Sequence, residues 1–84
     1  MDKEIVGTVT HYFNKIGVAV IDLKKGVAKG DMLVFEGKDG NTFQQKADSM
    51  QIDRKEIAQA NAGQSIGMKV ADRVTAGDKV YKTL

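Results

Sequence analysis

Apolar residues recur along this chain at strand spacing and are interrupted by glycine, never by proline. Ile5 and Val9 share one parity with Gly7 between them. This predicts a first strand from Lys3 to His11, with Gly7 marking a bulge or a close backbone approach. Tyr12-Phe13-Asn14-Lys15 is expected as the connection, where Asn14 tolerates left-handed geometry and Gly17 loosens the return. Ile16 to Leu23 is a nearly continuous apolar run, which predicts a strand buried on both faces and stopped by Lys24-Lys25-Gly26. A strand from Met32 to Glu36 follows, then an Asp39-Gly40 hairpin signal. The returning segment, Thr42 to Ile52, changes phase: Phe43 and Ala47 are odd, Met50 and Ile52 even. A strand has a period of two, so the flip demands a bulge or a corner, as closure of a small barrel does. Ile66, Met68 and Val70 alternate as a fifth strand, and Val80 with Tyr81 anchor a sixth.

Two turns are written alike, Lys29-Gly30-Asp31 and Ala76-Gly77-Asp78, each ahead of a strand-forming run. Glycine permits positive φ and aspartate bonds back to nearby amides, so each pair starts a strand cleanly. Asp53 to Ala62 carries the opposite signal. Asp53 with Glu56 resembles a capping box and Gly63 could end a helix, so propensity alone predicts two helical turns there. Strands at short, regular spacing otherwise indicate a sandwich or barrel. The inward set expected from the alternation is Val9, Val18, Val20, Leu33, Phe35, Ile66, Met68 and Val80.

Composition narrows the class more than the function. The 84 residues fit a single domain, 1–84, and 42% hydrophobic residues can fill one core. There is no cysteine, which excludes disulfides and thiolate metal sites. Thirteen basic residues against eleven acidic ones give +2, too small an excess to mark a general nucleic-acid binder. The longest apolar run falls short of the roughly 18 residues of a membrane span. Met1-Asp2-Lys3-Glu4 lacks the basic and apolar regions of a signal peptide, so a cytoplasmic protein without membrane contact is expected.

No catalytic constellation emerges. Gly37-Lys38-Asp39-Gly40 lacks the Gly-Lys-Ser/Thr ending of a P-loop, so no nucleotide cofactor is expected. His11 is the only histidine, with no ligands at metal-site spacing and no nucleophile placed beside it. Asp48 and Asp53 flank the expected corner, where turn capping is their ordinary use. Binding is the chemistry left. His11, Tyr12, Phe13, Asn14 and Lys15 gather two rings, an imidazole and a cation at a hairpin connection. Aromatics stack on bases while lysine attracts phosphate. The competing use of either ring is to fold back over an open barrel end. Lys24-Lys25 with Lys29 reads as a solvated turn.

Gly7-Thr8-Val9, Gly17-Val18-Ala19-Val20, Gly30-Asp31, Ser49-Met50-Gln51, Ala60-Asn61-Ala62-Gly63-Gln64-Ser65-Ile66-Gly67 and Gly77-Asp78-Lys79-Val80 occur in that order. The series resembles domain 2 of elongation factor Tu and related translational GTPases, and more closely the stand-alone translation elongation factor-like barrels. The opening half also resembles the C-terminal barrel of a peptidase-like family associated with RNA modification. The first resemblance implies an all-β fold, a closed six-stranded antiparallel barrel, with Asp53 to Ala62 extended apart from at most one helical turn. It implies a non-enzymatic module for protein biosynthesis that contacts transfer RNA or the ribosome near Tyr12 to Lys15. The alternative is a protein-interaction subunit docking on a separate RNA-modifying or peptidase-like enzyme.

Overall fold

The computed structural model describes residues 3–83; the Met1-Asp2 part of the N-terminal reading lies outside them. Ten strands are β1 (Lys3–Phe13), β2 (Val18–Leu23), β3 (Val27–Ala28), β4 (Met32–Glu36), β5 (Thr42–Lys46), β6 (Met50–Ile52), β7 (Lys55–Ile57), β8 (Gln59–Ala60), β9 (Ser65–Lys69) and β10 (Lys79–Thr83). Eight form one sheet in the order β5-β4-β10-β1-β2-β9-β6-β7, and β3 pairs with β8. Every pairing is antiparallel. The fold is all-β, as the alternation predicts, and among the described residues no helix is long and apolar enough to cross a membrane.

The phase flip after Ala47 is a corner. It divides the expected strand Thr42 to Ile52 into β5, paired with β4, and β6, paired with β9 across the molecule. Ala47 is buried at the turning point, where its N–H donates to the Asp31 carbonyl at 2.8 Å and its carbonyl accepts from Gly30 at 2.8 Å. The first Gly-Asp turn therefore holds the corner.

The expected closed six-stranded barrel is not found as such. Among the described residues the backbone ladder is open, ending at β5 on one side and β7 on the other, with eight strands rather than six. The sheet nevertheless curls until β5 reaches the chain just beyond β9. There the Gln45 side chain donates to the Lys69 carbonyl at 2.9 Å and accepts from the Ala71 N–H at 2.7 Å. A carboxamide spans the seam where a ladder would be needed for closure.

Two register shifts bend β1. Against β10 the register slips between Ile5 and Gly7, and against β2 between Val9 and His11. Buried Val6, buried Val9 and core-packed Tyr12 consequently fall three apart instead of two. Gly7 is required by close approach, since a Cβ would lie 2.7 Å from the Asp22 carbonyl oxygen.

The helical signal over Asp53 to Ala62 loses to pairing. Asp53 and Arg54 both adopt positive φ, 51° and 66°, and form the two-residue turn joining Ile52 to Lys55. Met50 then faces Ile57 across β6 and β7, and Ala60 is buried beside Val27 in the small sheet. Burial of these apolar side chains outweighs an intrinsic preference of tenths of a kcal/mol per residue.

Phe35, Ile21, Leu33, Met50, Ile66 and Met68 are the largest fully buried side chains. Phe35 stacks on Phe43 from the neighbouring strand, with ring centres 5.0 Å apart. Of the expected inward set, Val9, Leu33, Phe35, Ile66, Met68 and Val80 are buried, whereas Val18 and Val20 are not. β2 is half-buried instead of buried on both faces: Ala19, Ile21 and Leu23 enter the core, and Val18 and Val20 face outward.

Candidate functional site

Pairing at the β1–β2 hairpin decides which aromatic is available. Tyr12 and Phe13 belong to β1 rather than to the connection, and pair with Ala19 and Val18. The turn itself is Asn14 to Gly17, where the Gly17 N–H donates to the Phe13 carbonyl at 2.9 Å. The positive φ sits at Gly17, 67°, and not at Asn14. Successive strand residues point to opposite faces. Tyr12, opposite fully buried Ala19, packs against the core and takes the covering role. Phe13 points outward and remains 46% exposed, with the His11 ring edge-on to it at 4.4 Å between centres. Asn14 and Lys15 are exposed at the turn, and Ile16 is 62% exposed.

The outward side chains continue across the sheet. His11 pairs with Val20, Val20 with Gly67, and Gly67 with Gln51, so one row crosses β1, β2, β9 and β6. The adjacent row runs from Phe13 through Val18 to Lys69. Between these rows and the β6–β7 turn lies a groove of about 440 Å³, lined by apolar Phe13, Ile16, Val18, Val20 and Ile52 and by Asp53 and Arg54 of the turn. A smaller hollow of about 180 Å³ shares Ile16, Val18, Gln51 and Gly67 and extends to Lys69. Half-buried or exposed aliphatic and aromatic side chains thus form a contiguous outer patch, the usual mark of an interaction surface. Sequence reasoning missed Ile16, Val18 and Val20 as surface residues because it assigned them to a strand with no solvent face.

A second cavity, about 420 Å³, is lined by Phe43, Lys38, Asp39, Asp72, Arg73 and Asp78, among others. Its carboxylates are engaged locally. Asp39 accepts from Asn41, Asp72 from the Arg73 N–H and Asp78 from the Thr75 N–H, which makes them turn-forming groups. The lysines at 24, 25 and 29 form no open cationic patch, since Lys25 meets Glu4 at 3.0 Å and Lys29 meets Glu56 at 3.8 Å. Burial pushes the Tyr81 phenol above its ordinary pKa of 10.0, and the Glu36 carboxylate, which accepts its O–H at 3.3 Å, adds to the effect.

No protein-family profile matches the chain. Over 90% of its length it is 33% identical to an uncharacterized protease of Methanocaldococcus jannaschii, of which the match covers 19%. Over 95% of its length it is 30% identical to a collagenase of Porphyromonas gingivalis, covering 22% of that protein. Among solved structures it superimposes on the C-terminal domain of a Geobacillus thermoleovorans protein assigned to the U32 peptidases, with a TM-score of 0.88 at 22% identity. That superposition covers 96% of this chain and 93% of the domain. The chain has the fold of that C-terminal domain.

The chain spans about a fifth of the length of the curated relatives it matches. These findings overturn the resemblance to elongation factor Tu domain 2 and to stand-alone translation elongation factor-like barrels, and with it the expected place in protein biosynthesis. The physical reason lies in the motifs that carried it. Gly7 serves a close approach, Gly30-Asp31 and Gly77-Asp78 close turns, and Ser49-Met50 leaves a corner. Such residues report how a rolled sheet is built and say little about what it contacts.

Proposed function

We propose that this chain is a non-catalytic docking module for a peptidase-like polypeptide, which it engages through the outer face of β1, β2, β9 and β6. The contiguous patch of Phe13, Ile16, Val18 and Val20 carries this reading, because a lone domain gains nothing by leaving it in water. The occupant follows from the relatives. In a protease and a collagenase, the matching segment accompanies some four-fifths of additional chain, against which such a face would be covered. His11, Asn14 and Lys15 supply a polar rim beside Phe13, and the curled sheet acts as a barrel whose seam is held by Gln45.

The test mixes the purified chain with the portion of the M. jannaschii protease outside the matched segment and follows association by sedimentation velocity. Formation of a complex that Ile16→Asp abolishes, while the variant keeps the parent melting temperature, supports the reading. Absence of a complex, or a complex indifferent to Ile16→Asp, defeats it.

A further inference from the structure

Nine glycines punctuate the chain, and six have a backbone reason to be glycine. Gly17, Gly30, Gly40, Gly63 and Gly77 adopt positive φ between 67° and 98°. A Cβ on Gly7 would meet the Asp22 carbonyl oxygen at 2.7 Å; Gly26 and Gly37 lie outside the strands, where a Cβ would meet the Ala60 carbonyl oxygen at an ordinary 3.4 Å and the movable Asp39 carboxylate at 2.9 Å. Gly67 differs. It sits mid-strand in β9 without positive φ, and a Cβ there would find only Val18 Cγ1 at 3.5 Å and the Gln51 carbonyl oxygen at 4.0 Å, both ordinary contacts. The backbone does not need glycine at this position. Glycine also weakens a strand interior through its unfolded-state freedom and its lack of a packing side chain.

What Gly67 keeps open is the groove. It lies between Val20 and Gln51 in the cross-sheet row and belongs to both the larger groove and the smaller hollow. A side chain here would project from the outer face beside Val18 and Val20 and occupy space those residues leave free. We infer that Gly67 forms a socket for one large apolar side chain, of the leucine or phenylalanine kind, presented by the docked polypeptide. This rests on the docking reading above and assigns its central contact. Val18 and Val20 beside Gly67 favour an apolar group at this point, where a charged one would lose hydration, while Asp53 and Arg54 of the same groove suit the polar parts of the docked segment. The fold thus accepts a weaker strand position to keep a pocket vacant.

Gly67→Ala and Gly67→Val are compared with the parent and with Ile16→Asp. Three readouts are melting temperature, association with the same portion of the M. jannaschii protease, and amide shifts on titration with N-acetyl-leucinamide and, as a polar control, N-acetyl-asparaginamide. Gly67→Ala is expected to melt at or above the parent temperature. Filling the socket should weaken association by roughly tenfold or more for valine, the scale of one lost apolar side-chain contact. N-acetyl-leucinamide should shift the amides of Val18, Val20, Ile52 and residue 67, the asparagine analogue should not, and Gly67→Val should abolish the response. If both Gly67 variants associate like the parent while Ile16→Asp does not, the socket is wrong and the docking face stands. If Ile16→Asp also associates normally, the docking face fails and the socket with it. Destabilisation by Gly67→Ala would show that the glycine serves the fold, which also overturns the proposal.

Discussion

The carboxamide oxygen of Gln45 accepts the backbone N–H of Ala71 at 2.7 Å, while its nitrogen donates to the carbonyl of Lys69. One side chain therefore satisfies the donor and acceptor flanking Val70, as a peptide unit of a neighbouring strand would. The edge of β5 is tied to the chain leaving β9 without any ladder between them. An edge held this way is shielded from pairing with other chains.

Replacing Gln45 by leucine keeps the bulk and removes both bonds. Water can reach the exposed seam, so the loss should be modest, about 1–2 kcal/mol in urea unfolding. The local effect should be sharper: the Ala71 amide should exchange with solvent much faster, while core amides such as that of Ile21 change only with global stability. Unchanged protection at Ala71 would mean that the seam is held by something other than Gln45.

The two Gly-Asp turns are superimposable in their bonding. The Asp31 N–H donates to the Ala28 carbonyl and the Ala28 N–H to the Asp31 carboxylate, and Asp78 treats Thr75 in the same way. Gly30 and Gly77 sit between at φ 97° and 98°. Burial separates them, since Asp78 is only 7% exposed whereas Asp31 is half-buried. Asp78→Ala should therefore cost about 2 kcal/mol and Asp31→Ala about 1 kcal/mol, because the bond made by a buried carboxylate is less readily replaced by water. Equal losses would remove burial as the deciding factor.

The outward turn of Val20 changes which substitution should unfold the protein. The parity expected from the apolar run put Val18 and Val20 inside, but Ile21 is fully buried and Val20 lies half-exposed on the outer face. Val20→Asp should cost less than about 1 kcal/mol, whereas Ile21→Ala should cost about 2–5 kcal/mol by opening a cavity. Thermal unfolding of the two variants separates the assignments directly. A larger loss for Val20→Asp would put β2 back in the other register.

Most of the fold was legible where local chemistry and pattern agreed. The twin Gly-Asp turns, the close approach at Gly7 and the corner after Ala47 follow from residue types with few alternative uses. What was not legible depended on partners distant in sequence. Ile16 to Leu23 contains apolar residues at both parities, so no periodicity could show that one parity faces solvent. The bulges of β1, which space Val6, Val9 and Tyr12 by three, carry no mark beyond Gly7. The candidate site was half legible: Phe13 was singled out, but its neighbours across the sheet, Val20, Gly67 and Gln51, are joined to it only by pairing.

Tyr81 offers a titration with a defined sign. Burial and the Glu36 carboxylate raise its pKa in the folded state above 10.0, so the folded protein holds this proton more tightly than the unfolded chain. The stability it contributes is fully present below the unfolded pKa and is lost as pH rises through the folded one. In a Tyr12→Phe background, tyrosinate absorbance should rise with a midpoint above pH 10, and Glu36→Gln should move that midpoint down toward the ordinary value. A midpoint at or below 10 would contradict the environment described for this ring.

The two rings of the β1–β2 hairpin should separate stability from docking. Tyr12 packs on the core opposite Ala19, so Tyr12→Ala should destabilise by about 2–4 kcal/mol while leaving the outer face chemically unchanged. Phe13 is nearly half exposed and is braced on one side by His11, so Phe13→Ala should cost under about 1 kcal/mol. Aromatic residues at the centre of an interface commonly carry the largest share of its energy. Phe13→Ala should accordingly weaken association with the peptidase-like portion by roughly tenfold or more, with a melting temperature close to the parent's. Chemical denaturation and sedimentation of the two variants give the comparison. Should Tyr12→Ala, measured well below its unfolding transition, weaken association as much as Phe13→Ala, the partner contacts the hairpin end rather than the outer face.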